Sequence, residues 1–212
     1  MGESNLKKYK YIIFDIDGTI LDTEKMNLIP LQRLIKEVKG IDIKYEDLIF
    51  ALGLPGMKTL EKLNFDNIED NYSKWVQYVN EYELGAELYK NIDNVISKLY
   101  KNKIKMAIVS SKTKEQYDID FMDKGLHDFM ESVVLADDTK NHKPNPEPIL
   151  KAIDELHAKK EECIYIGDTF SDYMCSKNAN IDFGLALWGC KNKDGIDEAI
   201  ELKESEDLLK LI

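Results

Sequence analysis

Arginine is nearly missing from this chain. Arg33 is the only one in 212 residues, so rigid bidentate recognition of an anion is confined to a single position. Basic charge as a whole is outnumbered, with 29 Lys and Arg against 40 Asp and Glu and a formal charge of −11. That balance excludes partners gripped by a broad basic surface, so neither nucleic acid nor an anionic membrane is expected. Cysteine is scarce too: Cys163, Cys175 and Cys190 are odd in number and lack C-x-x-C spacing. They exclude a disulfide framework and point to a reducing compartment. No apolar run approaches the roughly 20 residues that span a bilayer, and Met1-Gly2-Glu3-Ser4-Asn5 is too polar for a signal peptide. The expected location is therefore cytoplasmic. Histidine occurs three times, at 127, 142 and 157, with no Ser or Cys nucleophile motif to serve, and reads as solvated or structural. Any anionic substrate must be held locally by lysines, backbone N–H groups or a divalent cation.

What is present begins with Tyr11-Ile12-Ile13-Phe14-Asp15-Ile16-Asp17-Gly18-Thr19. Ile12 to Phe14 reads as a strand buried on both faces, and Gly18 suits a tight turn or a close approach to a ligand. If the strand continues, Asp15 and Asp17 point to the same side, which suits metal binding or a nucleophile beside an acid/base. The plainer alternative is a strand end followed by an Asp-Gly turn. With 43% hydrophobic content the chain can bury a core large enough for one domain with an insertion.

Leu28, Leu31, Leu34, Ile35 and Val38 recur at helical spacing until Gly40. Further helices are predicted at Tyr45 to Ala51, Met57 to Leu63 and Asn67 to Tyr82. This block is too long for a simple crossover and implies an insertion. From Tyr89 onward helices and strands alternate, with strands at 105–109, 133–135 and 163–167 and a last core strand at 183–187. Such alternation implies a mostly parallel sheet with right-handed crossovers.

The strand ends collect chemistry: Asp15 and Asp17, then Ser110-Ser111, then Lys143 in His142-Lys143-Pro144-Asn145-Pro146, then Gly167-Asp168-Thr169-Phe170-Ser171-Asp172. Each alone has an ordinary explanation. Ser110 could be an N-cap, Lys143 a solvated loop residue, and Asp168 and Asp172 a cap and its first turn. Taken jointly and in this order, they resemble the four motifs of the haloacid dehalogenase (HAD) superfamily, with the nearest likeness to its phosphoglycolate phosphatase and pyrophosphatase-like members.

The resemblance implies an α/β fold, a Rossmann-like parallel-sheet core at 1–21 and 85–212 with an all-helical cap inserted at 22–84. It implies a phosphoric monoester hydrolase, a Mg²⁺-dependent phosphatase of a small phosphorylated metabolite such as phosphoglycolate, pyrophosphate or a sugar phosphate. In that scheme Asp15 forms an aspartyl-phosphate and Asp17 is the acid/base. Mg²⁺ is held by Asp15, the backbone carbonyl of Asp17, and Asp168. Gly18, Ser110, Ser111 and Lys143 hold phosphate, while Asp172 tunes the metal's surroundings or positions Lys143.

The presence of Asp17 sets the chain apart from the dehalogenase and phosphonate-hydrolase branches, which lack a second aspartate there. A β-phosphoglucomutase-like phosphomutase keeps all four motifs, but its cap-proximal histidine is replaced here by Asn27. A HAD scaffold kept for regulatory binding without turnover is the other alternative, and oligomeric state is left open. Lys112 could add to the phosphate site, but a loop lysine is the better reading. Gly53-Leu54-Pro55-Gly56-Met57-Lys58 resembles the family's specificity loop, making Gly56 and Lys58 candidates for substrate selection. An ordinary helix–helix connection accounts for that loop equally well. Arg33 is a third candidate, although a solvated helix face accounts for it better. The cap is expected to hinge near residues 20–24 and 83–88.

Overall fold

The computed structural model describes residues 7–82 and 85–212, so part of the expected second hinge lies outside the described residues. The chain forms two compact units, one running to Leu21 and resuming at Leu88, the other holding Asp22–Glu87. The first unit opens with β1, Tyr11–Phe14, in which Ile12, Ile13 and Phe14 are fully buried. The chain then crosses into the second unit through β2, Leu21–Asp22.

Three α-helices build the second unit. They are α1 (Glu24–Lys39), α2 (Gly56–Lys62) and α3 (Ile68–Asn80). The periodic leucines of α1 pack with Leu48, Leu60, Trp75 and Tyr78 into a core of their own. Gly40 ends α1 in the left-handed conformation that glycine adopts without steric cost. Between α1 and α2, Tyr45–Gly53 is a 3₁₀ helix, not the α-helix its apolar spacing suggests. The chain returns through β3, Glu87–Leu88, which pairs with β2.

The first unit then continues as α4 (Ile92–Lys101), β4 (Lys105–Val109), α5 (Lys114–Asp120), β5 (Met130–Val134), α6 (Glu147–Glu155), β6 (Cys163–Gly167), α7 (Phe170–Ala179), β7 (Asp182–Ala186) and β8 (Ile200–Leu202). Six strands form one sheet in the order β5-β4-β1-β6-β7-β8, and every pair is parallel. This is a Rossmann-like α/β core of the class the alternating pattern implies.

Two strand expectations need correction. The sheet does not end near residue 187, because β8 adds a sixth strand beside β7. Its three residues place Glu201 between two apolar neighbours, too short a run for periodicity to mark as a strand. And β1 stops at Phe14, so Asp15 and Asp17 do not share a strand face. Asp17 belongs instead to a turn in which Gly18 N–H donates to the Leu21 carbonyl at 2.9 Å.

The topology determines where chemistry can collect. The strand order reverses at β1, with β4 and β5 on one side and β6 to β8 on the other. Open α/β sheets form a crevice at such a reversal, outside the carboxyl ends of the strands.

Candidate active site

Asp15 follows β1 directly, and its N–H donates to the Ile166 carbonyl at 2.8 Å, tying the end of β1 to β6. Ser110 follows β4, and its N–H donates to Val134 at 3.0 Å. Asp168 follows β6, and Asp172 lies in the first turn of α7. Thr169 and Asp172 form a reciprocal capping box there, fixing the start of α7 and the direction of the Asp172 carboxylate.

Lys143 reaches into this group from the loop before α6. Its Nζ lies 2.9 Å from Asp15 Oδ1 and 2.7 Å from Asp172 Oδ1, and its side chain is 7% exposed. It also donates to the Tyr165 hydroxyl at 3.1 Å. Asp172 is thereby saturated, with Oδ1 accepting from Lys143 and Tyr165 and Oδ2 accepting from Thr169. Asp168 is not. Its Oδ1 is buried with no hydrogen-bond partner among the described residues.

Asp15, Asp168 and Asp172 each bring a carboxylate oxygen within 4.8 Å of the others. Burial pushes the Asp15 carboxyl up to about 7; Lys143 pulls it down, and the Asp172 and Asp17 charges push it up. Asp168 is raised well above the usual carboxylate range by burial, then by Asp172 and Asp15. Asp172 goes the other way: burial opposes ionisation, but the charge and hydrogen bond of Lys143 win and hold it low. Burial likewise opposes the Lys143 charge, yet Asp15 and Asp172 together raise it.

Such a site fits a hard divalent cation. A buried carboxylate oxygen without a partner costs roughly 1–3 kcal/mol or more, and a crowd of like charges adds to that cost. Oxygen ligands in close proximity suit such a cation. Backbone packing leaves little freedom here. Gly18 has φ of +73°, and a Cβ on it would sit 2.1 Å from Asp168 Oδ2. A Cβ on Gly167 would lie 2.6 Å from the Asp172 Cβ, so the aspartates approach the chain where only glycine permits it.

Residues 12–186 match the family model described as haloacid dehalogenase-like hydrolase. The chain belongs to that family. Among curated relatives of this HAD hydrolase, pyrophosphatase PpaX of Halalkalibacterium halodurans is 27% identical over 95% of each chain. PpaX of Bacillus velezensis is 27% identical over 97% of each. Among solved structures, a Lactobacillus plantarum protein provisionally named a phosphoglycolate phosphatase superposes with a TM-score of 0.90. It is 23% identical and covers 97% of this chain and 100% of its own.

Other residues of the hydrolase fall less simply. Ser110 is buried and Ser111 exposed. Ser110 is not an N-cap, since Thr113 caps α5 through its own capping box with Gln116. Lys112 is not a solvated loop residue. It is 7% exposed, with Nζ 2.5 Å from Asp120 and 3.1 Å from Asp17 Oδ1, the second contact lying off the line of a good hydrogen bond.

Residue types alone hid this lysine, because Ser-Ser-Lys-Thr-Lys reads as a polar turn. The available signal was Asp120, one helix later. Trp188 was also missed; its indole N–H donates to the Thr19 carbonyl at 2.9 Å and steadies the turn after Asp17.

Within the helical unit, Arg33 pairs with Glu81 at 3.0 Å and stacks over the Tyr78 ring, its centroid 3.7 Å away. Lys58 pairs with Glu61 at 2.8 Å and is exposed. Gly56 starts α2, where a Cβ would come within 2.3 Å of Tyr72, a packing reason for glycine. His127 Nδ1 and the Tyr117 hydroxyl share a hydrogen bond of 2.8 Å, while His142 and His157 are exposed. No helix among the described residues is long and apolar enough to cross a membrane.

Proposed function

We propose that this chain is a Mg²⁺-dependent phosphatase of a small phosphorylated metabolite, acting through an aspartyl-phosphate on Asp15. The observation that carries the reading is Asp15 itself. It is buried at the carboxyl end of the central strand, 2.9 Å from Lys143 and grouped with two further aspartates. The names of the PpaX relatives support phosphate chemistry, and make inorganic pyrophosphate the first substrate to test, beside phosphoglycolate and sugar phosphates.

A carboxylate of Asp15 attacks phosphorus, and the bond from phosphorus to the leaving oxygen breaks. Asp17 gives that oxygen its proton. Asp17 then takes a proton from water as the water attacks phosphorus, and the bond to Asp15 breaks to release inorganic phosphate. Two easier displacements replace one difficult one. Lys143 places fixed positive charge where the transferring group is most negative, and Ser110 and Ser111 supply donors to its oxygens. Asp15, Asp168 and the Asp17 carbonyl would hold Mg²⁺, which offsets phosphate charge and keeps Asp15 ionised. Asp172, already saturated, positions Lys143.

The phosphomutase alternative is weakened at Asn27. Its side-chain amide donates to the Thr23 carbonyl at 2.9 Å, within its own helix, and its backbone carbonyl accepts the Trp75 indole at 3.0 Å. A side-chain amide also cannot take up or release a proton near neutral pH as an imidazole does.

Hydrolysis of p-nitrophenyl phosphate with Mg²⁺, lost in EDTA, is the first assay, followed by phosphate release across a metabolite panel. No release with any of these would dismiss the reading. A second expectation concerns stability. Asp15 and Asp168 are raised above their unfolded values, so in the metal-free protein these two groups hold more protons folded than unfolded. Their own contribution to stability falls as pH rises from about 4 to about 7, whereas Asp172, which is held low, contributes in the opposite direction.

Mg²⁺ at roughly 100 times its dissociation constant contributes about 2.7 kcal/mol. For a chain of this size that is on the order of 5–10 °C in melting temperature. Differential scanning calorimetry should show this gain at pH 8 and a smaller one at pH 5. An equal gain at both would contradict the assignment of these carboxylates to the cation.

A further inference from the structure

Lys112 is held at every point. Its N–H donates to Ser110 Oγ at 3.2 Å, its carbonyl accepts the Ala136 N–H at 2.9 Å, and Thr113 beside it caps α5. Its ammonium lies between two carboxylates on different elements. Asp120, 2.5 Å away, is the last residue of α5, and Asp17, 3.1 Å away, is in the turn after β1. Both Lys112 and Asp120 have side chains only 8% exposed.

As a device for stability alone this is a poor choice. A carboxylate at a helix C-terminus faces the negative end of the helix dipole. Burying an ion pair costs several kcal/mol per ion, and an apolar pair often serves a fold as well.

The arrangement gains a purpose from Asp17. The backbone of Asp17 is fixed by its turn, leaving only side-chain rotation free. Its Oδ1 is buried, whereas the side chain as a whole is 36% exposed, so the exposed part excludes Oδ1. Lys112 draws Oδ1 inward, and Asp120 keeps Lys112 from swinging away.

We propose that Lys112, braced by Asp120, is a positioning residue that fixes Asp17 so that Oδ2 is the oxygen that exchanges a proton with the leaving group. This rests on the reading of Asp17 as acid/base. Preorganised geometry of this kind matters because a small misplacement of a catalytic group is costly in rate.

The test compares kcat/KM for phenyl phosphate, a poor leaving group that needs its proton, with that for p-nitrophenyl phosphate, which needs it little. Lys112→Met should lower kcat/KM roughly 10²-fold for phenyl phosphate and about ten times less for p-nitrophenyl phosphate. Asp120→Asn should show the same pattern with smaller losses. Asp17→Asn is the reference and should show the pattern most strongly.

If Asp17→Asn discriminates between the substrates and Lys112→Met lowers both equally or not at all, the proposal is overturned while the acid role stands. If Asp17→Asn itself does not discriminate, the acid role fails and the proposal goes with it. Lys112→Met leaves Asp120 buried without its cation, so Lys112→Met/Asp120→Leu, which removes both charges, is measured alongside. A folded double variant that lacks the leaving-group pattern would equally overturn the proposal.

Discussion

Replacing Asp15 with Asn is expected to lower kcat by roughly 10⁴–10⁶-fold, the scale seen when a covalent nucleophile is removed. The amide is nearly isosteric but cannot form the phosphoryl bond, so loss of activity should come without loss of fold. The direction of the stability change is also determined. Burial raises the Asp15 carboxyl to about 7, so above that value its charge opposes folding. A neutral Asn removes that opposition, while Lys143 keeps Asp172 as its partner. Metal-free Asp15→Asn should therefore melt no lower than the parent chain at pH 8. Substantial residual turnover, or a large drop in melting temperature, would count against Asp15 as the nucleophile.

Lys143→Met is expected to damage both stability and rate. The lysine lies between Asp15 and Asp172, and its loss leaves buried carboxylates without their counter-charge. Breaking a buried pair in this way costs about 3–5 kcal/mol, and a chain of this length loses roughly 2–4 °C of melting temperature per kcal/mol. Activity should fall by roughly 10²–10³-fold through lost stabilisation of the transferring group.

The two effects separate in Lys143→Met/Asp172→Asn. The amide retains an oxygen to cap α7 and removes one of the two stranded charges, so part of the stability should return. The activity should not. Thermal melts and kcat on all four members of the cycle measure this coupling. Recovery of activity together with stability would mean that Lys143 acts only through the fold.

The sheet was readable because its strands are parallel and buried on both faces, which leaves apolar runs such as Ile12 to Phe14 and Met106 to Val109 in the sequence. The short edge strand β8 left no such run. Asp15, Ser110, Lys143 and Asp168 were proposed as a set from the joint order of four motifs, and the structure groups Asp15 with Lys143 and Asp168.

The relation between Asp15 and Asp17 was not readable, since it depends on β1 ending at Phe14 rather than continuing two residues further. Lys112 was hidden for a different reason. A lysine amid serine and threonine looks solvated, and its burial depends on Asp17, distant in sequence, and on Asp120 at the far end of the next helix. The roles of Arg33 and Lys58 within the helical unit likewise depend on Glu81, Tyr78 and Glu61, partners that spacing alone does not select.

The covalent intermediate is the centre of the account, and it can be trapped. The protein is mixed with Mg²⁺ and radiolabelled p-nitrophenyl phosphate, quenched in acid during turnover, and digested for peptide mapping. One phosphoryl group should be found on the peptide carrying Asp15, labile to hydroxylamine as an acyl phosphate is, and missing from Asp15→Asn. Rapid turnover with no protein-bound label, or with label on another residue, would contradict it.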